Sequence, residues 1–170
     1  YHKYLNFDPQ HYDDPDRDRC IVSKGHIGVI LAALYAQLGL VDKEALKTFN
    51  LTGSSLGMHL DSNKVKGLEV STGSLGHGSA LALGDALAAR VLGRPHKTWL
   101  LLGDGECDEG SVWEAAMATS HYKATDLITV VDRNHAMIDG LTEDVMALEP
   151  FADKWRAFGF DVLEVDGHHM

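Results

Sequence analysis

Cysteines, basic residues and long apolar runs are all scarce in this sequence, and each shortage excludes a class of protein. The two cysteines, Cys20 and Cys107, have no paired spacing, which argues against a disulfide-stapled extracellular domain. Only 15 basic residues stand against 25 acidic ones, and the net charge of −10 argues against general nucleic-acid binding. No segment approaches the roughly 18 apolar residues that span a membrane, and residues 1–12 do not resemble a secretory signal. We therefore expect a cytoplasmic protein with neither a nucleic-acid nor a membrane partner.

The remaining composition is that of a globular domain. The chain has 170 residues, of which 45% are hydrophobic and 24% charged, enough to bury a sizeable core within one domain. We predict a single domain over residues 1–170. The sequence opens among polar residues and stops just after a predicted strand, so we expect this domain to be incomplete at both ends.

Apolar periodicity predicts helices that alternate with short buried strands. The predicted helices cover residues 27–38, 41–49, 76–92, 111–122 and 147–158, and the predicted strands cover residues 98–102, 127–131 and 160–165. Residues 51–66 are rich in glycine, serine and asparagine and are predicted to form a long loop, a feature that is often functional in a compact domain. This alternation favours an α/β fold with a mainly parallel sheet and helices on both faces.

Two polar residues, Asp104 and Asn134, each follow a predicted strand. In such sheets, ligands bind beyond the carboxyl ends of the strands. Carboxylate and amide oxygens are suitable ligands for magnesium, and Gly103 and Gly105 would let the backbone approach a phosphate closely. A Gly-Asp-Gly turn alone is common after strands, but the added Asn134 at this spacing indicates a site for magnesium and a diphosphate.

Longer segments around these residues make the pattern more specific. Residues 103–110 read Gly-Asp-Gly-Glu-Cys-Asp-Glu-Gly, residues 131–134 read Val-Asp-Arg-Asn, and residues 138–140 read Ile-Asp-Gly. Together they resemble the signature of thiamine-diphosphate enzymes, and of the transketolase family in particular. The resemblance implies thiamine diphosphate and Mg²⁺ as cofactors.

The same resemblance implies roles for individual residues. The side chains of Asp104 and Asn134 and the main-chain carbonyl of Ala136 would bind the metal, while Ile138 would pack against the cofactor. Glu109 matches an acidic residue in a network that links the two cofactors of a dimer. From the sequence alone, Glu109 is also explained as a solvated glutamate in the first turn of a helix, where the helix dipole favours it.

Two histidines lie in further motifs. His26 ends the segment Ser-Lys-Gly-His at residues 23–26, directly before the first predicted helix, where a donor suits an anion but a histidine without a ligand is also common. The segment resembles the Ser-x-Gly-His motif of transketolases, which implies that His26 lies close to cofactor and substrate. His59, in Gly-Met-His, matches a histidine that hydrogen-bonds a substrate hydroxyl. The family usually has proline after this histidine, and here Leu60 takes that position.

A glycine-rich loop completes the resemblance. Residues 71–78 resemble the Thr-Gly-x-Leu-Gly-x-Gly loop of the family, which implies that Gly73, Ser74 and Leu75 contact the aminopyrimidine ring. The histidines His168 and His169 follow a segment resembling one that approaches the active site in relatives, but the chain ends too soon to assign them a role.

One part of the family's machinery has no counterpart here. The activating glutamate of transketolases lies on the pyrimidine-binding domain, and no segment of this chain resembles that domain. The resemblance therefore implies a partner, a C-terminal transketolase subunit that supplies the domain and its glutamate, in a dimer of such heterodimers. The implied reaction is transfer of a two-carbon ketol unit from a ketose phosphate to an aldose phosphate.

Other functions remain open from the sequence. Deoxyxylulose-phosphate synthase and keto-acid dehydrogenase components share the metal motif, although residues 23–26 and 131–134 are more similar to transketolase. A non-catalytic diphosphate-binding module would be marked by Gly-x-Gly-x-x-Gly opening a helix, which does not follow Leu102. A paralogue without activity is disfavoured because the metal motif, His26 and His59 are intact.

Overall fold

The computed structural model describes residues 1–169, and a three-stranded parallel sheet lies at its centre. The strands are β1 (Arg19–Val22), β2 (Thr98–Gly103) and β3 (Leu127–Asp132), in the order β1-β2-β3. Val22 pairs with Leu101, and Gly103 pairs with Asp132. The carboxyl ends of the three strands therefore lie along one edge of the sheet. Strand β1 is too short and too mixed in polarity to have been predicted.

Helices and a small hairpin surround the sheet. The helices are α1 (Gly28–Gln37), α2 (His77–Leu92), α3 (Gly110–His121), α4 (Thr142–Val145) and α5 (Phe151–Ala157). The hairpin consists of β4 (Ala136–Met137) and β5 (Gly140–Leu141), which pair antiparallel. Within residues 1–169, no helix is long and apolar enough to cross a membrane.

Alternate residues of the strands face two separate cores. Ile21, Leu100 and Leu102 belong to a buried cluster that includes residues of α2, α3 and α5. Val22 belongs to a second cluster that includes residues of α1, and Leu101 packs against that cluster. Because successive side chains of a strand point to opposite faces, the predicted sheet with helices on both faces is confirmed. The predicted loop at 51–66 contains neither helix nor strand, also as expected.

The prediction of a strand at 160–165 is wrong. This segment has no strand partner among the described residues, and only Phe160 and Val162 pack against the core. Leu163 and Val165 are 90% and 85% exposed. Alternating apolar residues indicate an extended backbone, but a strand also needs an adjacent strand whose amides and carbonyls can pair with it.

Two predicted helices are also corrected. The amphipathic pattern at 41–49 forms only a 3₁₀ helix over Lys43–Thr48, in which Asp42 accepts a hydrogen bond from the amide of Glu44 at 2.9 Å. The helix predicted at 147–158 begins only at Phe151. Pro150 explains this later start, because the residue before a proline is disfavoured in helical conformation.

Candidate functional site

Asp104 lies at the carboxyl end of β2 with its carboxylate buried. The residue is only 1% exposed. One oxygen, Oδ1, accepts a hydrogen bond from the Gly105 amide at 2.9 Å. The other, Oδ2, accepts from the His135 amide at 2.7 Å and from Arg133 Nη1 at 3.0 Å. A carboxylate offers about four acceptor positions, so one position on Oδ1 is left for a further ligand.

The second and third predicted metal ligands follow β3. Asn134 is exposed, and its Oδ1 accepts a hydrogen bond from the Ala136 amide at 2.9 Å. The bond between His135 and Asp104 brings this segment against the end of β2. Carboxylate, carboxamide and main-chain carbonyl oxygens are the hard ligands that Mg²⁺ prefers. A set of three oxygen donors, without sulfur or imidazole nitrogen, fits magnesium better than a softer metal.

Ile138 lies at the turn of the hairpin that follows, between β4 and β5, and its side chain is fully exposed. The hairpin packs over Gly105, since a Cβ at residue 105 would lie 3.0 Å from Cβ of Met137. The hairpin is thereby held next to Asp104, and it presents Ile138 without any packing partner.

Glu106 is a site residue that the sequence did not reveal. It is 3% exposed, and its carboxylate accepts hydrogen bonds from Ser23 Oγ, from the Gly76 amide at 2.8 Å and from the Gly103 amide at 3.0 Å. These three donors belong to three different motifs of the sequence. In the sequence, Glu106 and the predicted Glu109 are two glutamates of the same acidic turn. Only their burial in the structure distinguishes them.

The glycine-rich loop runs between these elements. Gly76 precedes α2 with a φ of 81°, and a Cβ at this position would lie 2.8 Å from Cβ of Glu109. Glu109 is exposed and lies at the start of α3. In the same loop Ser74 is exposed and Leu75 is half-buried. The loop therefore packs against the start of α3 at Gly76 and leaves Ser74 open to solvent.

The segments of the two predicted histidines meet on either side of this loop. His26 is exposed in the 3₁₀ turn Gly25–Ile27 that leads into α1. A Cβ at residue 25 would lie 2.5 Å from the Thr72 carbonyl oxygen, and a Cβ at Gly73 would lie 2.8 Å from the ring of His59. The structure thus brings together the Ser-Lys-Gly-His segment, the His59 segment, the glycine-rich loop and residues 103–110, although Ser23 and its partner Glu106 are 83 residues apart in sequence.

A buried lysine completes the charge pattern of the site. Lys24 is 5% exposed, and its Nζ donates to Asp132 Oδ2 at 2.5 Å. This hydrogen bond lowers the pKa of Asp132. Burial, with the nearby charges of Glu106 and Asp104, raises the pKa of the Cys107 thiol, so Cys107 is a neutral packing residue.

The fold and this arrangement define the class as the thiamine-diphosphate-binding fold. The family described as "Transketolase, thiamine diphosphate binding domain" matches residues 1–170. A 6-deoxy-6-sulfo-D-fructose transketolase subunit from Clostridium sp. is 42% identical over 99% of this chain, and an apulose-4-phosphate transketolase subunit from Phocaeicola vulgatus is 44% identical over 95%. This chain belongs to the transketolase family.

Solved structures agree with this assignment. A transketolase variant from Pichia stipitis superposes with a TM-score of 0.84 at 33% identity, covering 95% of this chain and 25% of that one. A transketolase from Campylobacter jejuni gives a TM-score of 0.84 at 32% identity, covering 94% and 26%. The chain spans 62% and 57% of the lengths of the Clostridium and Phocaeicola relatives.

Proposed function

We propose that this chain forms the diphosphate-binding half of a transketolase-type active site. One contact carries the proposal: Asp104 Oδ2 accepts a hydrogen bond at 2.7 Å from the amide of His135, in the segment after β3. This contact collects oxygen donors from two adjacent strand ends. Residues of the Ser-Lys-Gly-His segment and the glycine-rich loop converge on the same edge through Glu106.

In this proposal Asp104, Asn134 and the carbonyl of Ala136 hold Mg²⁺, which in turn holds the diphosphate. Gly103 and Gly105 flank Asp104 and would contact the diphosphate. The lack of a side chain at residue 105 also lets the hairpin lie against this turn, because a Cβ there would lie only 3.0 Å from Cβ of Met137. The fit is one of chemistry: all three ligands are oxygens, and Asp104 is buried in a position where its charge is weakly screened.

The remaining residues would orient the organic parts of cofactor and substrate. Thiamine diphosphate, when bound, supplies an electron sink for breaking and forming carbon–carbon bonds. Gly73, Ser74 and Leu75 would contact its aminopyrimidine ring, and the exposed Ile138 would gain an apolar partner. His26 and His59 would donate hydrogen bonds to substrate hydroxyls, and Glu109 would link the site to its copy in a dimer.

The proposed reaction is transfer of a two-carbon ketol unit from a ketose to an aldose. It requires a partner, a C-terminal transketolase subunit that supplies the pyrimidine-binding domain and the activating glutamate. Two relatives that this chain matches over nearly its full length are themselves named as transketolase subunits. Their names specify a sulfonated and a phosphorylated ketose, so donors with an anionic tail form the substrate class to be tested first.

The variant Asp104→Ala tests the cofactor site. We expect Mg²⁺-dependent binding of thiamine diphosphate by the complex with its partner to weaken by at least about 10–100-fold, because a direct metal ligand is lost. Titration of the cofactor at several Mg²⁺ concentrations measures the effect. Asp13→Ala, which removes an exposed carboxylate of the N-terminal segment, is the matched control. Equal cofactor affinity in both variants would contradict the metal site.

A donor screen tests the reaction class. The complex should consume ketoses with an anionic tail in the presence of an aldose acceptor, and it should not consume pyruvate or other 2-keto acids. Consumption of pyruvate would favour the alternative classes, deoxyxylulose-phosphate synthase or a keto-acid dehydrogenase component. Cofactor binding without turnover of any donor would favour a non-catalytic module.

A further inference from the structure

Arg133 is the cation in contact with the Asp104 carboxylate, and it reaches several other acceptors at once. Its Nη1 donates to Asp104 Oδ2 at 3.0 Å and to Thr142 Oγ1 at 2.8 Å. Its Nη2 donates to Glu143 Oε1 at 2.8 Å and to Glu149 Oε1 at 2.9 Å. The guanidinium thus joins the end of β2 to the segment around α4.

The acceptors of Arg133 are themselves tied into the backbone. Glu143 Oε1 also accepts from the Leu148 amide at 3.1 Å, and Glu149 Oε2 accepts from the Phe151 amide at 2.7 Å. Thr142 is fully buried. These hydrogen bonds hold residues 142–151 together, and the guanidinium of Arg133 joins three of their side chains. We call residues 142–151 the framed segment.

The chain between Arg133 and this framed segment is the hairpin that carries the proposed metal ligands. The Thr142 amide donates to the His135 carbonyl at 3.1 Å, so both ends of residues 135–142 are closed together. His135 has a φ of 62°, a left-handed conformation that a non-glycine residue adopts only when its surroundings impose it. The His135 amide donates to Asp104 and its carbonyl accepts from the Thr142 amide, and these bonds hold the conformation. Arg133 donates to the side chains of the same two partners, Asp104 and Thr142.

We propose that Arg133 is a positioning residue that holds Asp104 and the hairpin of residues 134–141 in the geometry needed to bind the metal. The proposal rests on the proposed function for the identity of the ligand, but the positioning itself belongs to the protein alone. Arginine suits this role because its planar guanidinium serves several acceptors at fixed angles, whereas a lysine ammonium is a point charge on a flexible stem. Arg133→Lys is therefore expected to restore only part of what Arg133→Met removes.

Hydrogen exchange on the full-length protein without cofactor tests the positioning directly. In Arg133→Met the hydrogen-bonded amides of His135 and Thr142 should exchange at least about tenfold faster, while amides in β2 and α2 keep their protection. Arg156→Met is the matched control, since Arg156 also pairs with two carboxylates, Asp153 and Glu164, but on the exposed surface. Unchanged exchange in the hairpin, or equal acceleration throughout the protein, would overturn the proposal.

A second variant covers the case in which Arg133→Met fails to fold because Asp104 is left as a buried unpaired charge. Glu149→Gln keeps one oxygen, which can accept from Arg133 or from the Phe151 amide but not from both. It leaves the bonds of Arg133 to Asp104 and Thr142 in place, so its hairpin amides should exchange faster by a smaller factor than in Arg133→Met or Arg133→Lys. Unchanged exchange in Glu149→Gln and Arg133→Lys together would overturn the proposal.

Cofactor binding separates this proposal from the proposed function. In the complex with the partner subunit, Arg133→Met should raise the Mg²⁺ concentration needed for thiamine diphosphate binding by about 10–100-fold, as for other residues that orient metal ligands. If Asp104→Ala abolishes binding but Arg133→Met leaves it unchanged, the positioning role fails alone. If neither variant affects binding, the proposed metal site itself fails.

Discussion

Glu106→Gln offers the sharpest test of how the motifs are held together. The substitution keeps the shape of the side chain and one carbonyl oxygen, which can still accept from Ser23 Oγ and the Gly76 amide. The new amide nitrogen then faces the Gly103 amide, which now donates at 3.0 Å to the other carboxylate oxygen. Two donors would point at each other in a site that is 3% exposed.

The expected cost follows from those contacts. One charge-assisted hydrogen bond is lost, and the Gly103 amide and the new side-chain amide are both left without an acceptor, so the free energy of unfolding should fall by about 2–4 kcal/mol. Urea denaturation of the purified protein measures this difference. Glu44→Gln, which changes an exposed glutamate paired with Lys47, should leave the stability unchanged. A Glu106→Gln protein as stable as the wild type would contradict this reasoning. It would show that the free energy lost by desolvating the carboxylate equals the free energy gained from its three hydrogen bonds.

Three further outcomes are expected. In the same urea denaturation assay, Gly25→Ala should destabilise the protein by about 1–3 kcal/mol, because its Cβ would lie 2.5 Å from a backbone carbonyl oxygen. The control Gly84→Ala, at a helical position with open space around it, should stabilise the protein by about 0.5–1 kcal/mol. Cys107 should resist iodoacetamide until urea unfolds the protein, since burial raises the pKa of its thiol; rapid labelling of the native protein, followed by mass spectrometry, would contradict this. Asp132 has a pKa below its ordinary value of 3.8 because Lys24 donates to it, so its stabilising effect is present above about pH 4 and is lost as the pH falls below that. Asp132→Asn should therefore reduce the loss of stability measured between pH 5 and acid, and an unchanged acid profile would argue against the ion pair.

The sequence was most informative where chemistry and position along the chain coincide. Asp104 and Asn134 stand directly after apolar strands, so the parallel sheet alone places them at one edge. Their roles as metal ligands, like those of Ala136 and Ile138, remain predictions. Glu106 and Arg133 were not identified as site residues, because a glutamate in an acidic turn and an arginine beside an asparagine carry no signal until their partners are known.

Local sequence pattern predicted helices α1, α2 and α3, strands β2 and β3, and the parallel sheet, but it predicted neither strand β1 nor the hairpin. The tertiary structure decided what depends on distant partners: within residues 1–169 no strand lies beside the 160–165 segment, so its extended backbone does not become a strand. It also decided which of two similar glutamates is buried, and it showed that Arg133 contacts Asp104 as well as residues 142–149. Periodicity follows from a residue's near neighbours, whereas burial and ion pairing depend on contacts across tens of residues that only the folded chain creates.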